Sequence, residues 1–370
     1  MIPYGRHSIS EEDIEAVTAV LRGDWLTTGR QVDIFEDAIS KIVGAPSFSV
    51  SSGTAALHCA YAAINLSSGD EVITPPITFI ATQATAALFG AKVVFADVQL
   101  DTGNIDPSSV ESAITSRTKA IVAVDFAGHP VELDELRSIA DKHSIFLIED
   151  AAHSLGSIYK GVRIGSKADL TTFSFFPTKN LTTGEGGAVS SNNHELLMRA
   201  KRFSRQGLVR EKDKFLIQDQ GPWHQEVHEF GLNYRLPDIL CALGTSQLSR
   251  IEAFKSRRTE IFDFYNSELL GSAFEPPTKR QYVDPMWHLY PARVEAKSRL
   301  KIFESLRNSG IGVQVNYMPA YWHPVFQNLG YKKGQYPVSD AFFASEISLP
   351  MSFALSEEQM HKVVKVAKSV

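Results

Sequence analysis

Cysteine is nearly absent from this chain. Cys59 and Cys241 are the only two, each inside an apolar stretch of helical character. Both read as small core residues, which argues against a disulfide framework or a cysteine metal site. No apolar run approaches the roughly 18 residues that a membrane span requires. Charge of one sign is not in excess: the formal net charge is −5, and the longest basic patches, Lys255-Ser-Arg-Arg258 and Lys332-Lys333, are short. That leaves no footprint for nucleic acid or an acidic membrane surface. Met1-Ile-Pro-Tyr-Gly-Arg-His7 has neither a basic n-region nor an apolar h-region, so the expectation is a cytoplasmic protein without a secretion signal. Internal repeats and low-complexity segments are missing as well. No G-x-G-x-x-G follows a strand, which argues against an NAD-binding oxidoreductase.

What is present is ordinary globular material: 44% hydrophobic and 21% charged residues over 370 positions. That length suits two domains of roughly 150 residues each. Ser10-Glu-Glu-Asp13 opens a helix through Leu21, and Val32, Phe35 and Ile39 mark a second. Short apolar runs then alternate with helical ones. Strands are expected at Ser47–Val50, Glu71–Thr74, Lys92–Phe95, Ala120–Val124 and Ile145–Ile148. Helices are expected at Thr54–Ala63, Ile77–Phe89 and Leu133–His143. This alternation predicts an α/β fold with βαβ units and a mostly parallel sheet, whose ligands bind beyond the carboxyl ends of the strands. Ser51, Thr74, Asp125 and Asp150 all fall at such ends. A polar stretch, Glu211–Glu226, precedes a helix expected over Pro237–Phe254. Farther on, His288–Val294, Arg299–Ser309 and Ile311–Tyr317 read as β-α-β. We therefore expect a large domain over 1–250 and a smaller one over 251–370.

Thr171-Thr-Phe-Ser-Phe-Phe-Pro-Thr-Lys-Asn-Leu-Thr-Thr-Gly-Glu-Gly-Gly-Ala188 sets Lys179 between an apolar strand-like segment and a glycine-rich turn. A nucleophilic lysine needs such an apolar enclosure, because burial lowers its pKa and frees the neutral amine. Asp150 ends the run Ile145-Phe-Leu-Ile-Glu-Asp150, and a carboxylate there can keep the nitrogen of a pyridine ring protonated. Ser51-Ser-Gly-Thr-Ala-Ala-Leu57 turns from a strand into a helix. Its free N–H groups, the small Gly53 and the Thr54 hydroxyl suit a phosphate. Each residue alone has a plainer reading: a solvated lysine, an aspartate helix cap, a capped helix without ligand. Their combination carries the argument.

With Phe230-Gly-Leu-Asn-Tyr-Arg-Leu-Pro237 added, the chain resembles the pyridoxal-phosphate nucleotide-sugar aminotransferases, which have the aspartate aminotransferase fold. The likeness runs from Trp25-Leu-Thr-Thr-Gly29 to Ile347-Ser-Leu-Pro350. It implies a fold-type-I enzyme using pyridoxal 5′-phosphate, with Lys179 holding the cofactor and moving a proton, and Asp150 at the ring nitrogen. It further implies phosphate contacts from Gly53, Thr54 and Ser174, a stacking ring in Phe79, and His153 against the ring hydroxyl. Asn233 would cross a homodimer interface to the neighbouring cofactor phosphate, with Arg235 close by, so that active sites are shared. Thr28, Tyr317 and His323 are implied as substrate contacts, L-glutamate as amino donor, and no metal. Val124-Asp-Phe-Ala-Gly128, Asp150-Ala-Ala-His-Ser-Leu-Gly156 and Gly312-Val-Gln-Val-Asn-Tyr-Met-Pro319 are similar to the branch that aminates C4 of a UDP-linked 4-keto-6-deoxy-N-acetylhexosamine in pseudaminic acid biosynthesis. Gln206 and Asn316 depart from the relatives' pattern, which has histidine at both places. The alternatives are a C4 or C3 aminotransferase for another UDP-, GDP- or dTDP-keto sugar, and a non-catalytic sugar-nucleotide-binding relative. A sugar dehydratase of the same fold is disfavoured because it replaces the lysine with histidine.

Overall fold

The computed structural model describes residues 1–370. The chain opens with α1 (Glu11–Leu21) and α2 (Arg30–Val43) and then alternates: β1 (Ser47–Val50), α3 (Gly53–Ala63), β2 (Glu71–Thr74), α4 (Ala81–Leu88), β3 (Lys92–Phe95), α5 (Pro107–Ala113), β4 (Thr118–Val124), α6 (Leu133–His143) and β5 (Phe146–Asp150). A small hairpin, β6 (Ile158–Tyr159) and β7 (Val162–Arg163), leads to β8 (Leu170–Ser174), β9 (Gly187–Ser190) and α7 (His194–Phe203). After β10 (Leu208–Val209) and β11 (Glu226–Val227) come the helices α8 (Asp238–Leu248) and α9 (Ile251–Glu268).

The seven-stranded sheet has the order β1-β9-β8-β5-β4-β2-β3. β2, β3, β4, β5 and β8 pair in parallel, whereas β9 runs antiparallel to both β8 and β1. Six strands therefore point the same way and deliver their carboxyl ends to one edge. Helices cover both faces, so the strands read as near-continuous apolar runs. Alternation within β5 is decisive for the site. Leu147 joins the core formed with α2, α6 and α8, whereas Ile148 joins the core formed with α3, α4 and α7. Strand periodicity then turns Glu149 toward the first layer and Asp150 toward the second, where α4 lies. Cys59 in α3 and Cys241 in α8 are buried and free, as expected of small core residues.

The remainder contains β12 (Val283–Asp284), β13 (Tyr290–Arg293), α10 (Arg299–Asn308), α11 (Pro324–Gln327), α12 (Pro337–Ser345), β14 (Glu346–Leu349) and α13 (Glu357–Ala367). Residues of α9, α10, α13, β13 and β14 build a third core, which Ile2 also enters. No helix is long and apolar enough to cross a membrane.

Three elements differ from the sequence expectation. Helix α4 starts at Ala81 instead of Ile77, which leaves 77–80 as a loop carrying Phe79. The expected helix Pro237–Phe254 is two helices: Arg250 leaves helical geometry at φ −105° and ψ 9°, with its guanidinium turned to Asp13 and the Ser8 carbonyl. Ile311–Tyr317 is no strand. It makes only single bridges to Ile2 and Ser348, and its Asn316 N–H donates to the Glu346 carboxyl at 2.7 Å. The partner of β13 is instead β14, antiparallel.

Candidate active site

The carboxyl edge of the sheet gathers most of the residues singled out in the sequence. Asp150, at the end of β5, is buried and accepts hydrogen bonds from the Thr82 hydroxyl of α4 at 2.8 Å and from the Ala152 N–H at 3.2 Å. Burial raises its pKa, and these two donors together with the nearby Lys179 ammonium oppose that rise. Lys179 follows β8 in a turn closed by its N–H donating to the Phe176 carbonyl at 2.9 Å. Its half-buried amine is brought down to about 8 by desolvation, which outweighs the attraction of Asp150. An amine with that pKa keeps a far larger neutral fraction near physiological pH than an ordinary lysine, and the neutral form is the one that attacks a carbonyl.

Above this pair lies an anion cradle. Ser52 caps α3, its hydroxyl accepting from the Ala55 N–H at 3.0 Å, while the N–H groups of Gly53 and Thr54 have no partner in the chain. A Cβ on residue 53 would sit 2.7 Å from that of Ser174, so only glycine lets the end of β8 approach this helix N-terminus. The Ser174 hydroxyl is thereby set beside free N–H groups at the positive end of a helix dipole, a geometry suited to phosphate. Phe79 is 59% exposed and therefore not a core residue; its ring contacts that of Tyr317 at 6.3 Å. His153 is buried, with its Nε2 3.5 Å from the Tyr317 hydroxyl. Burial, reinforced by the charge of Lys179, holds His153 well below the usual histidine range, so its ring is neutral.

These features fit pyridoxal phosphate: a free amine, a buried carboxylate beside it, a phosphate-shaped cradle and an uncovered aromatic face. Other assignments are not joined to this cluster. Thr28, exposed and at φ +58°, lines a separate cavity of about 680 Å³ with Arg30, Arg205 and Arg235. The Asp238 carboxylate fixes that loop by accepting from the N–H groups of Gly29 and Gln31 at 2.8 and 2.9 Å. His323, before α11, has no hydrogen bond or ring contact to the Lys179 cluster; its backbone N–H donates to the Ala320 carbonyl at 3.1 Å. Asn233 is exposed, and its amide oxygen accepts from Arg235 Nε at 3.1 Å. Gln206 sits at φ +59° with its N–H on the Leu232 carbonyl at 3.1 Å.

Sequence reasoning missed Thr82, His288 and Glu149, and marked Asp125 only as a strand end. Asp125 and Glu149 are both buried; burial raises both carboxyls, and the charge of Asp125 raises Glu149 further. The Asp125 N–H also donates to the Asp150 carbonyl at 3.1 Å, and its carboxyl accepts from Ser154, one residue past His153. No motif gave Thr82, His288 or Glu149 a role. Each acts through a neighbour that the fold supplies.

Asn316 faces inward. Its amide donates to the Tyr4 hydroxyl and, at 3.1 Å, to that of Ser348, whose own hydroxyl donates to Glu346. Glu346 is buried, and desolvation pushes its carboxyl up to about 8. A carboxyl raised in the folded state contributes stability that is fully present below its unfolded value of about 4.3, and that contribution is lost as pH rises through the folded value. Glu346→Gln removes this dependence. Relative to the parent, the variant should gain about 1 kcal/mol or more between pH 5 and pH 9, a difference of one pKa unit or more by linkage. Thermal melts of both proteins across that range measure it, and parallel Tm–pH curves would refute the buried neutral acid.

The fold and this site define a pyridoxal-phosphate-dependent aminotransferase. The particular family follows from comparison: the DegT/DnrJ/EryC1/StrS aminotransferase family model matches residues 7–368, and the chain belongs to that family of sugar aminotransferases. It is 39% identical over 360 residues to the UDP-4-amino-4,6-dideoxy-N-acetyl-beta-L-altrosamine transaminase of Campylobacter jejuni, covering 95% of this chain and 92% of that one. Helicobacter pylori PseC, an aminotransferase involved in pseudaminic acid biosynthesis, superposes with a TM-score of 0.92 at 34% identity over 100% of both chains. Streptococcus pneumoniae Spr1654, solved in PMP and PLP forms, superposes at 0.94 and 0.93 with 32% identity, covering 100% of this chain and 98% of that one.

Proposed function

We propose that this aminotransferase converts a UDP-linked 4-keto-6-deoxy-N-acetylhexosamine, UDP-2-acetamido-2,6-dideoxy-beta-L-arabino-hexos-4-ulose, to its 4-amino sugar with L-glutamate as donor. The product would serve pseudaminic acid or a related surface glycan. The observation that carries the site assignment is the half-buried amine of Lys179, lowered to about 8 and set beside buried Asp150 at the carboxyl edge of the sheet. The substrate is supported by the activity for which the Campylobacter relative is named and by the resemblance to PseC.

When bound, pyridoxal phosphate supplies the electron-accepting ring and the carbonyl that carries the amino group. Lys179 holds it and, once released, takes a proton from glutamate Cα and gives one to C4 of the sugar. Asp150 keeps the ring nitrogen protonated, Gly53, Thr54 and Ser174 take the phosphate, and Phe79 covers one ring face. His153 stands by the ring hydroxyl. Tyr317 is assigned to the sugar nucleotide within the cluster, and Thr28 and His323, which lie apart from Lys179 in the single chain, are proposed as its outer contacts. Residues 1–250 would form the cofactor-bearing domain and 251–370 the smaller one. The test is a panel of UDP-, GDP- and dTDP-linked 4-keto and 3-keto sugars with glutamate, the products read by mass and NMR. The UDP-linked 4-keto-6-deoxy-N-acetylhexosamine should give the highest kcat/KM. A better GDP or dTDP substrate would replace this assignment.

We also propose a homodimer with shared sites. Asn233 is exposed beside Phe230, 98% exposed, and Leu232, 42% exposed, and Trp25 stands 66% exposed. A second copy would cover such an apolar surface and give the Asn233 amide a phosphate partner in the neighbouring site. Lys179→Ala and Asn233→Ala are each expected to be inactive. Co-expressed heterodimers should regain up to about half of wild-type activity per dimer, since one of the two sites in a C₂ dimer then holds both residues. Verified heterodimers that recover nothing would put Asn233 in its own subunit's site, and a monomer by light scattering would end the proposal.

A further inference from the structure

A second imidazole stands behind His153. The buried His288 precedes β13, and its N–H donates to the Ala127 carbonyl at 2.8 Å. Its ring centroid lies 4.3 Å from that of His153, the planes tilted by 41°. Tyr317 contacts His153 as well, at 6.4 Å and 28°, and Phe126 lies at 6.5 Å, with His288 the nearest of the three rings around it. The Nδ1 atoms of His153 and His288 are both enclosed without a hydrogen-bond partner. An enclosed polar atom left unpaired is costly, so packing alone would favour an apolar ring at position 288.

The charged side chains that act on His288, Lys179 and Arg258, are both cationic. Lys179 faces it from the site, with the neutral His153 ring against it. Arg258 of α9 faces it from behind, its guanidinium enclosed and donating to the carbonyls of Trp287, His288 and Met351 at 3.1, 3.4 and 3.4 Å, with no carboxylate partner. Burial first, then these three neighbours, keeps His288 well below the usual histidine range. It is therefore a neutral spacer between two cations and a histidine.

We propose that His288 is a positioning residue: it braces the neutral His153 ring against Tyr317, so that His153 meets the cofactor ring held by Lys179 in a single orientation. This rests on the reading of Lys179 as the cofactor-bearing lysine. In that arrangement His288 acts only through His153, and its removal lets the His153 ring turn.

The test is a double-mutant cycle in the holoenzyme with His288→Phe and His153→Ala, reading kcat, KM, the absorbance of the bound cofactor against pH, and Tm. His288→Phe should lower kcat about 10-fold with KM within about twofold, and should shift the pH midpoint of the cofactor absorbance while Tm holds. In the His153→Ala background the same substitution should cost less than about twofold more, because the residue it acts through is gone. Equal losses in both backgrounds, or a fall in Tm with kcat and absorbance unchanged, would overturn the proposal. If His288→Phe does not fold, His288→Asn is read against the same criteria. Borohydride reduction of the parent separates the two levels: a pyridoxyl adduct away from Lys179 defeats the lysine reading, whereas an adduct on Lys179 with additive losses defeats only the role of His288.

Discussion

Lys179→Ala should fold like the parent and lose turnover by about 10³-fold or more, the combined loss of a covalent attachment and a proton shuttle. The structure gives the reason for both halves of that result. The Lys179 side chain makes no hydrogen bond within the protein, so truncation leaves no partner orphaned and Tm should stay close to the parent's. Its turn is closed by the backbone bond from its N–H to the Phe176 carbonyl, which alanine keeps. What is lost is the only amine that desolvation lowers to about 8 beside the Asp150 carboxylate. Borohydride reduction of the parent followed by peptide mapping should place the pyridoxyl group on Lys179, and the variant should yield no adduct. An adduct on another lysine would sink the assignment.

Asp150→Asn should cost on the order of 10² or more in kcat, the scale of removing a principal electrostatic group, with a small change in stability. Asparagine is nearly isosteric, and its amide oxygen can keep one of the two bonds that the carboxylate accepts on separate oxygens, from the Thr82 hydroxyl at 2.8 Å or from the Ala152 N–H at 3.2 Å. The negative charge disappears, and with it the partner that keeps a pyridine nitrogen protonated. Losing that charge also removes the one attraction that holds up the Lys179 pKa, so the amine should titrate lower in the variant. Steady-state kinetics with Tm as control measure the effect. Near-parental kcat would show that the ring nitrogen is held in another way.

The legible parts of this molecule were those whose signal is local. Apolar runs of four or five residues separated by helices disclosed the parallel sheet, and with it the edge where Gly53, Asp150 and Ser174 converge. β9, the one reversed strand, and the split between α8 and α9 depend on distant partners, Asp13 among them, and no local pattern announces them. The same division runs through the site. Lys179 and Asp150 stand in recognisable segments. Thr82 is an ordinary helix residue until β5 places Asp150 opposite it, and His288 looks like the start of a strand until its ring meets His153. Asn316 seemed a departure on the sugar side, yet its amide is spent inside the protein on Tyr4 and Ser348.

The central claim is that Lys179 and Asp150 carry an amino group from an amino acid to a nucleotide-linked ketone. It can be read in one cuvette as two half-reactions. L-glutamate alone should bleach the visible absorbance of the lysine-bound cofactor and release 2-oxoglutarate. Adding the UDP-linked 4-keto-6-deoxy-N-acetylhexosamine should then restore that absorbance and yield the 4-amino sugar, with ¹⁵N from labelled glutamate at C4. Bleaching by glutamate that no UDP-, GDP- or dTDP-keto sugar reverses, or label in none of the sugars, would contradict the account.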